Sequence, residues 1–262
     1  MSSIPDHKIV VFIGKRGTGK SFLVKDFLWH KRDIPVGAVI SPTEEANGYY
    51  GDFMPSLFIH PEYTPKVLNN FIMRQKNLVH KIKKGAIDEE EVDIRSFLIF
   101  DDCLFDDSWA KDKNMRLIFM NGRHYKITFL LTMQYPLGIK PHLRTNIDYV
   151  FILRENITKN RMRIYENYAG MFPSFDAFSQ AMDQCTENFE CLVIANNANS
   201  NRLEDQVFWY KAEPHPDFKL GAPVFWNYSK ENENPDGSDD ELDLTTMKKS
   251  NFSLVVEKLE ND

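Results

Sequence analysis

A chain of 262 residues is long enough to bury one sizeable α/β core with appendages, and apolar and aromatic contents of 42% and 13% exclude a disordered polymer. Three cysteines without paired spacing argue against a disulfide scaffold or a zinc site, and no apolar run reaches the length of a membrane span or a secretory signal. The net charge of −6 does not exclude a nucleic-acid partner: ten acidic and three basic side chains fall within 231–262, so residues 1–230 are close to neutral.

Lys8 to Ile13 is a continuous apolar run that predicts a buried strand. A Gly-rich turn follows, then a helix from about Lys20 to His30 with Phe22, Leu23, Phe27 and Leu28 at helical spacing. Gly37 to Ser41 reads as a second strand stopped by Pro42, Thr43 to Pro55 as a loop, and Leu57 to His60 as a short strand. A long helix runs from about Pro65 to Lys84 and ends at Gly85. Ser96 to Phe100 is a strong strand ending in two aspartates, followed by a helix over Asp112 to Gly122 and strands over Ile127 to Thr132 and Tyr149 to Leu153. Helices are expected at Thr158 to Tyr168 and Ser174 to Gln184, and an antiparallel hairpin from Phe189 to Ala195 and Asp205 to Lys211. From about Pro214 the composition predicts weak order, relieved only at Asn251 to Leu259. The domain boundary is therefore placed between 213 and 214, with 214–262 as an acidic tail. Fully apolar strands alternating with helices predict an α/β fold around a mostly parallel sheet covered on both faces.

Gly14-Lys15-Arg16-Gly17-Thr18-Gly19-Lys20-Ser21 fits G-x-x-x-x-G-K-[ST] between a predicted strand and a predicted helix. Glycines let main-chain N–H groups converge on phosphate oxygens, and the helix N-terminus adds favourable partial charge. Lys20 is expected to bridge the terminal phosphates and Ser21 to ligate Mg²⁺, making ATP and Mg²⁺ the expected cofactors. Asp101, after Phe97 to Phe100, is placed to hold the metal, and Asp102 to orient or deprotonate an attacking water. Gln134, just past the strand ending at Thr132, can report the γ-phosphate. Arg123 precedes that strand and can reach a neighbouring subunit's nucleotide, with Arg144 and Arg154 as competitors. Arg74, Lys76, His80, Lys81, Lys83 and Lys84 form a basic helix strip, read as a solvated face ahead of a phosphate-binding one.

The run Asn121-Gly122-Arg123 through Thr132-Met133-Gln134-Tyr135-Pro136 is similar to the segment after the second acidic motif in FtsK- and HerA-type DNA translocases. Gly122-Arg123-His124-Tyr125, Asp148-Tyr149-Val150-Phe151, Tyr168-Ala169-Gly170 and Trp209-Tyr210-Lys211-Ala212 resemble the genome-packaging ATPases of nucleocytoplasmic large DNA viruses, the poxvirus-type branch. The resemblance spans about residues 8 to 212. It implies a RecA-like P-loop ATPase core and a homo-oligomeric ring, a hexamer. It also implies double-stranded DNA as partner, docking to a capsid or portal-associated protein, and a place in the viral factory of the host cytoplasm or in association with the virion. By the same motifs Gln134 matches the sensor glutamine and Arg123 the family's Gly-Arg. Two departures stand out: the acidic pair is Asp-Asp where FtsK-type enzymes often carry Asp-Glu, and Tyr135 replaces an Arg. Other readings stay open from the residues: a cellular or plasmid-borne translocase or helicase, a nucleoside or nucleotide kinase, and a nucleotide-gated structural protein. A GTPase is disfavoured because Asn156-Ile157-Thr158-Lys159-Asn160 is a poor match to a guanine-reading motif.

Overall fold

The apolar runs assemble into a single sheet in the computed structural model, which describes residues 1–103 and 108–232. Its strands are β1 (Ile9–Ile13), β2 (Val36–Ile40), β3 (Ile59–His60), β4 (Ser96–Phe100), β5 (Ile127–Met133), β6 (Tyr149–Ile152), β7 (Glu190–Ala195) and β8 (Val207–Lys211). The helices are α1 (Lys20–His30), α2 (Glu44–Asn47), α3 (Pro65–Lys83), α4 (Lys113–Asn121), α5 (Pro141–Arg144), α6 (Thr158–Tyr168), α7 (Phe175–Cys185) and α8 (Pro223–Asn232). Spatial order is β3-β2-β4-β5-β1-β6-β7-β8. Strands β1 to β6 pair in parallel, and β7 runs antiparallel to both β6 and β8. The fold is α/β, as the alternation of elements predicts.

Every residue of β1, β2, β4 and β5 is buried, because each strand is covered on both faces. One face packs Val11, Ile13, Leu98, Phe129 and Leu131 against α3, α4, α6 and α7. The other packs Val10, Phe12, Ile99 and Leu130 against Leu23, Val24 and Phe27 of α1. Caps fix the helix starts: Thr64 Oγ1 accepts from Val67 N ahead of α3, and Ser174 Oγ accepts from Ala177 N ahead of α7. Helix α3 buries Leu68, Phe71, Ile72 and Gln75, leaving Arg74, His80, Lys81 and Lys83 exposed, which matches a solvated face. Among the described residues no helix is long and apolar enough to cross a membrane.

Two expectations need correction. Thr43 to Pro55 is not merely a loop: it contains α2, and it buries Tyr50, Phe53 and Met54 in the α1-side core. Nor is the chain weakly ordered from Pro214, since α8 forms and Leu220 is fully buried beside Phe53 and Phe58. The backbone is pinned there by Leu220 N donating to Phe53 O at 2.8 Å and Ala222 N donating to Pro35 O at 2.7 Å. The physical reason is that α1 alone cannot cover its face of the wide sheet, so Phe218, Leu220 and Phe225 complete it despite polar neighbours. The expected order at Asn251 to Leu259 lies outside the described residues. So does residue 233 onward of the acidic tail.

Residues 214–232 are also tied to α1 by a polar contact. Asp26 on α1 is 1% exposed; its Oδ2 accepts from Tyr210 OH at 2.5 Å and its Oδ1 pairs with His215 Nε2 at 2.5 Å. A buried carboxylate losing a donor keeps its desolvation cost. Tyr210→Phe is therefore expected to destabilise the fold by about 1–3 kcal/mol, read from urea unfolding midpoints.

Candidate functional site

Strand β1 delivers the chain to the sheet's C-terminal edge, where Gly14 N donates to Met133 O at 3.0 Å and fastens the loop to the end of β5. Glycine is required at Gly14 by space: a Cβ there would stand 2.6 Å from Thr18 Oγ1 and 2.9 Å from Leu153 Cβ. At Gly19 it is required by conformation, φ being 97° where the chain turns into α1. Thr18 Oγ1 donates to Lys15 O at 2.7 Å, closing the loop on itself. Lys20 is buried, and its ammonium donates to Gly14 O at 2.8 Å and Lys15 O at 3.2 Å. Burial lowers its pKa, opposed by the charges of Asp102 and Asp101. Ser21 is exposed in the first turn of α1. The Lys15 side chain points away, its Nζ 2.6 Å from Glu155 Oε1 and 3.0 Å from Asn156 Oδ1. Lys15 therefore contributes main chain to the loop, while its ammonium anchors the loop to the start of α6. Arg16 and Gly17 form the exposed crest.

The acidic pair stands beside this loop, as its place at the end of β4 predicts. Asp101 is 8% exposed and its Oδ1 accepts from Thr132 Oγ1 at 2.6 Å. Burial raises its pKa, against the lowering effect of the Thr132 hydrogen bond. Asp102 takes a left-handed conformation, φ 50°, with its N–H donating to the same Thr132 oxygen at 3.0 Å. Its Oδ2 accepts from Gln134 Nε2 at 3.0 Å, and its Oδ1 lies 3.9 Å from Lys20 Nζ. That Oδ1 is buried and accepts no hydrogen bond from the described residues. The buried Tyr50 hydroxyl stands close to Asp101 without closing a hydrogen bond, and burial with that charge raises its pKa well above the usual phenol value. The unpaired Asp102 oxygen and the neighbouring Asp101 carboxylate are hard oxygen donors of the kind that Mg²⁺ takes.

Lys20, Asp101, Asp102 and Gln134 therefore converge, while Arg123 does not. It is exposed in the turn Gly122–Tyr125 before β5, at the opposite edge of the sheet. β5 has seven residues. With a rise of about 3.3 Å per residue, Arg123 stands roughly 20 Å from Gln134 within one subunit. Of its competitors, Arg144 lies over the Tyr168 ring at 5.7 Å, and Arg154 is exposed directly after β6. Sequence reasoning passed over Thr132, Tyr49, Tyr50 and Glu155. Thr132 joins both aspartates, and Tyr49 OH donates to Ser21 O at 2.6 Å. Thr132 is one of two threonines, with Thr128, in the run Ile127–Met133, and its place near the C-terminal end of the strand was the available signal.

A parallel sheet that feeds a Gly-rich loop and a helix bearing a buried lysine, with acidic residues ending a neighbouring strand, defines the class as a P-loop NTPase fold. The chain belongs to a family of large-DNA-virus proteins that includes L437 of Acanthamoeba polyphaga mimivirus, with which it shares 43% identity over 228 residues, 87% of this chain and 80% of that one. Protein 088R of Invertebrate iridescent virus 3 is 39% identical over 224 residues, 84% of this chain and 82% of its own length. No protein-family model matches. Among solved structures, the genome packaging NTPase B204 from Sulfolobus turreted icosahedral virus 2 in complex with ATP-gammaS superposes with TM-score 0.52, covering 78% of this chain and 96% of B204. At 14% identity the similarity is one of fold.

Proposed function

We propose that this chain is an ATP-hydrolysing motor that packages viral double-stranded DNA into a capsid, working as a ring of identical subunits. The observation that carries the reading is the convergence of Lys20, Asp101, Asp102 and Gln134 around the glycine loop. The membership of its relatives in large DNA viruses and the packaging role in B204's name supply the direction. In this reading Gly14, its N–H held by Met133 O, sets the turn, the main-chain amides of Lys15, Arg16, Gly17, Thr18 and Gly19 grip the phosphates, and Lys20 neutralises the terminal ones. Ser21 and Asp101 would hold Mg²⁺, which when bound would neutralise phosphate charge. Asp102 orients or deprotonates the attacking water, and its hydrogen bond to Gln134 ties that role to a γ-phosphate sensor. Arg123 acts on a neighbour's nucleotide. Residues 1–213 carry the ATPase unit and 214–232 brace it. Double-stranded DNA and a capsid or portal-associated protein are the external partners, met in the host cytoplasm.

The test is hydrolysis rate against nucleotide type on gel-filtered oligomers, with and without duplex DNA. The motor reading expects a rate that rises with DNA and with protein concentration as rings form. A rate indifferent to DNA but dependent on an added nucleoside would instead mark a kinase.

A further inference from the structure

Phe189 stands out among the described residues because it is the most exposed of the large apolar side chains, at 65%. It is also held there against backbone preference. Asn188 and Phe189 take consecutive left-handed conformations, φ 51° and 66°, and neither is glycine. For a bulky aromatic such a conformation is an outlier that costs energy, and such outliers cluster at ligand clamps and active sites. The ring is not loose on the surface. It lies against the phosphate loop, where a Cβ built on Gly19 would meet Phe189 Cδ1 at 3.1 Å and Cγ at 3.7 Å.

Topology gives this contact a direction. Ile13 pairs with Ile152, and Ile152 pairs with Leu192 across the antiparallel ladder. Phe189, three residues before Leu192, therefore reaches the same sheet edge as Gly14, one residue past Ile13. The groups that would hold the metal and the attacking water beside a terminal phosphate lie on the other flank of β1: Asp101 and Asp102 after β4, and Gln134 after β5. A nucleotide whose terminal phosphate is drawn to that flank must send its ribose and base across the loop towards β6 and β7. An exposed aromatic face is waiting there. Lys15 cannot obstruct it, because its ammonium is tied down to Glu155 and Asn156.

We propose that Phe189 is the platform on which the nucleobase of the bound triphosphate stacks, forming the base-binding half of the site. The inference rests on the nucleotide site proposed above and adds a subsite to it. Stacking needs only a π-face, so the platform fixes where the base lies and leaves the choice among bases to other contacts.

The experiment measures binding of Mg·ATP and of inorganic tripolyphosphate, by calorimetry, to the wild-type full chain, Phe189→Ala and Phe189→Trp. Phe189→Ala is expected to weaken ATP binding about ten- to a hundredfold and to leave tripolyphosphate affinity unchanged. Phe189→Trp is expected to keep ATP affinity and to add a tryptophan emission that ATP quenches and tripolyphosphate does not. Equal weakening of both ligands by Phe189→Ala would show a structural prop for the loop and overturn the platform. Unchanged ATP affinity in Phe189→Ala would overturn it as well. A wild-type chain that binds neither ligand would overturn the phosphate site first and the platform with it, so the two failures are distinguishable.

Discussion

Lys20→Ala is expected to lower ATP turnover about 10²- to 10³-fold, the usual cost of removing one preorganised electrostatic group from a reacting centre. The side chain is buried, spans the loop through Gly14 O and Lys15 O, and stands 3.9 Å from Asp102 Oδ1. Its loss removes the positive charge that offsets two neighbouring carboxylates and a polyphosphate. Burial already lowers the pKa of this ammonium, so the site has paid to hold it dry. Steady-state hydrolysis on folded protein, with folding checked by circular dichroism, is the measurement. Undiminished hydrolysis would mean that the phosphate loop is not the reacting site.

Arg123→Ala is expected to leave ATP affinity intact while slowing turnover by about 10³ to 10⁵, the range for an arginine supplied in trans. The structure sharpens this expectation. An exposed residue at the far edge of the sheet from Gln134 cannot assist its own subunit's nucleotide, so any catalytic effect must cross a subunit boundary. Mixing Arg123→Ala with Lys20→Ala subunits then becomes diagnostic. Junctions pairing an intact loop with an intact arginine regain activity, and the mixture hydrolyses faster than either variant alone. Absence of rescue, or normal turnover by Arg123→Ala alone, would return Arg123 to a local role and leave exposed Arg154 as the next residue to test.

Much of the site was legible in the sequence because its chemistry is local. Gly14 to Ser21 is contiguous, and its glycines answer to backbone demands made within the loop itself. The acidic pair was legible because an apolar run ending abruptly in Asp101-Asp102 has one physical reading in a parallel sheet, a strand arriving at its C-terminal edge. Strand β4 and helices α1 and α6 have the predicted bounds, the other predicted elements differ by small shifts at their ends, where elements fray, and α2, α5 and α8 were not foreseen.

What composition concealed was covering and company. Residues 214–232 looked too polar to order, yet Leu220 is fully buried, because a sheet face covered by α1 alone offers apolar area that no local pattern announces. Asp26 on α1 is buried, and its partners Tyr210 and His215 lie 184 and 189 positions away. Thr132 acquires its role only when β5 is laid beside β4, bringing its hydroxyl to both aspartates. Local sequence was enough for the glycine loop, the acidic strand end and the α/β alternation, since each depends on residues adjacent in the chain. Only the packed fold shows that Tyr50 faces Asp101 and that Phe189 overhangs Gly19. Those are distances set by strand order, and strand order is chosen by how the two buried faces pack.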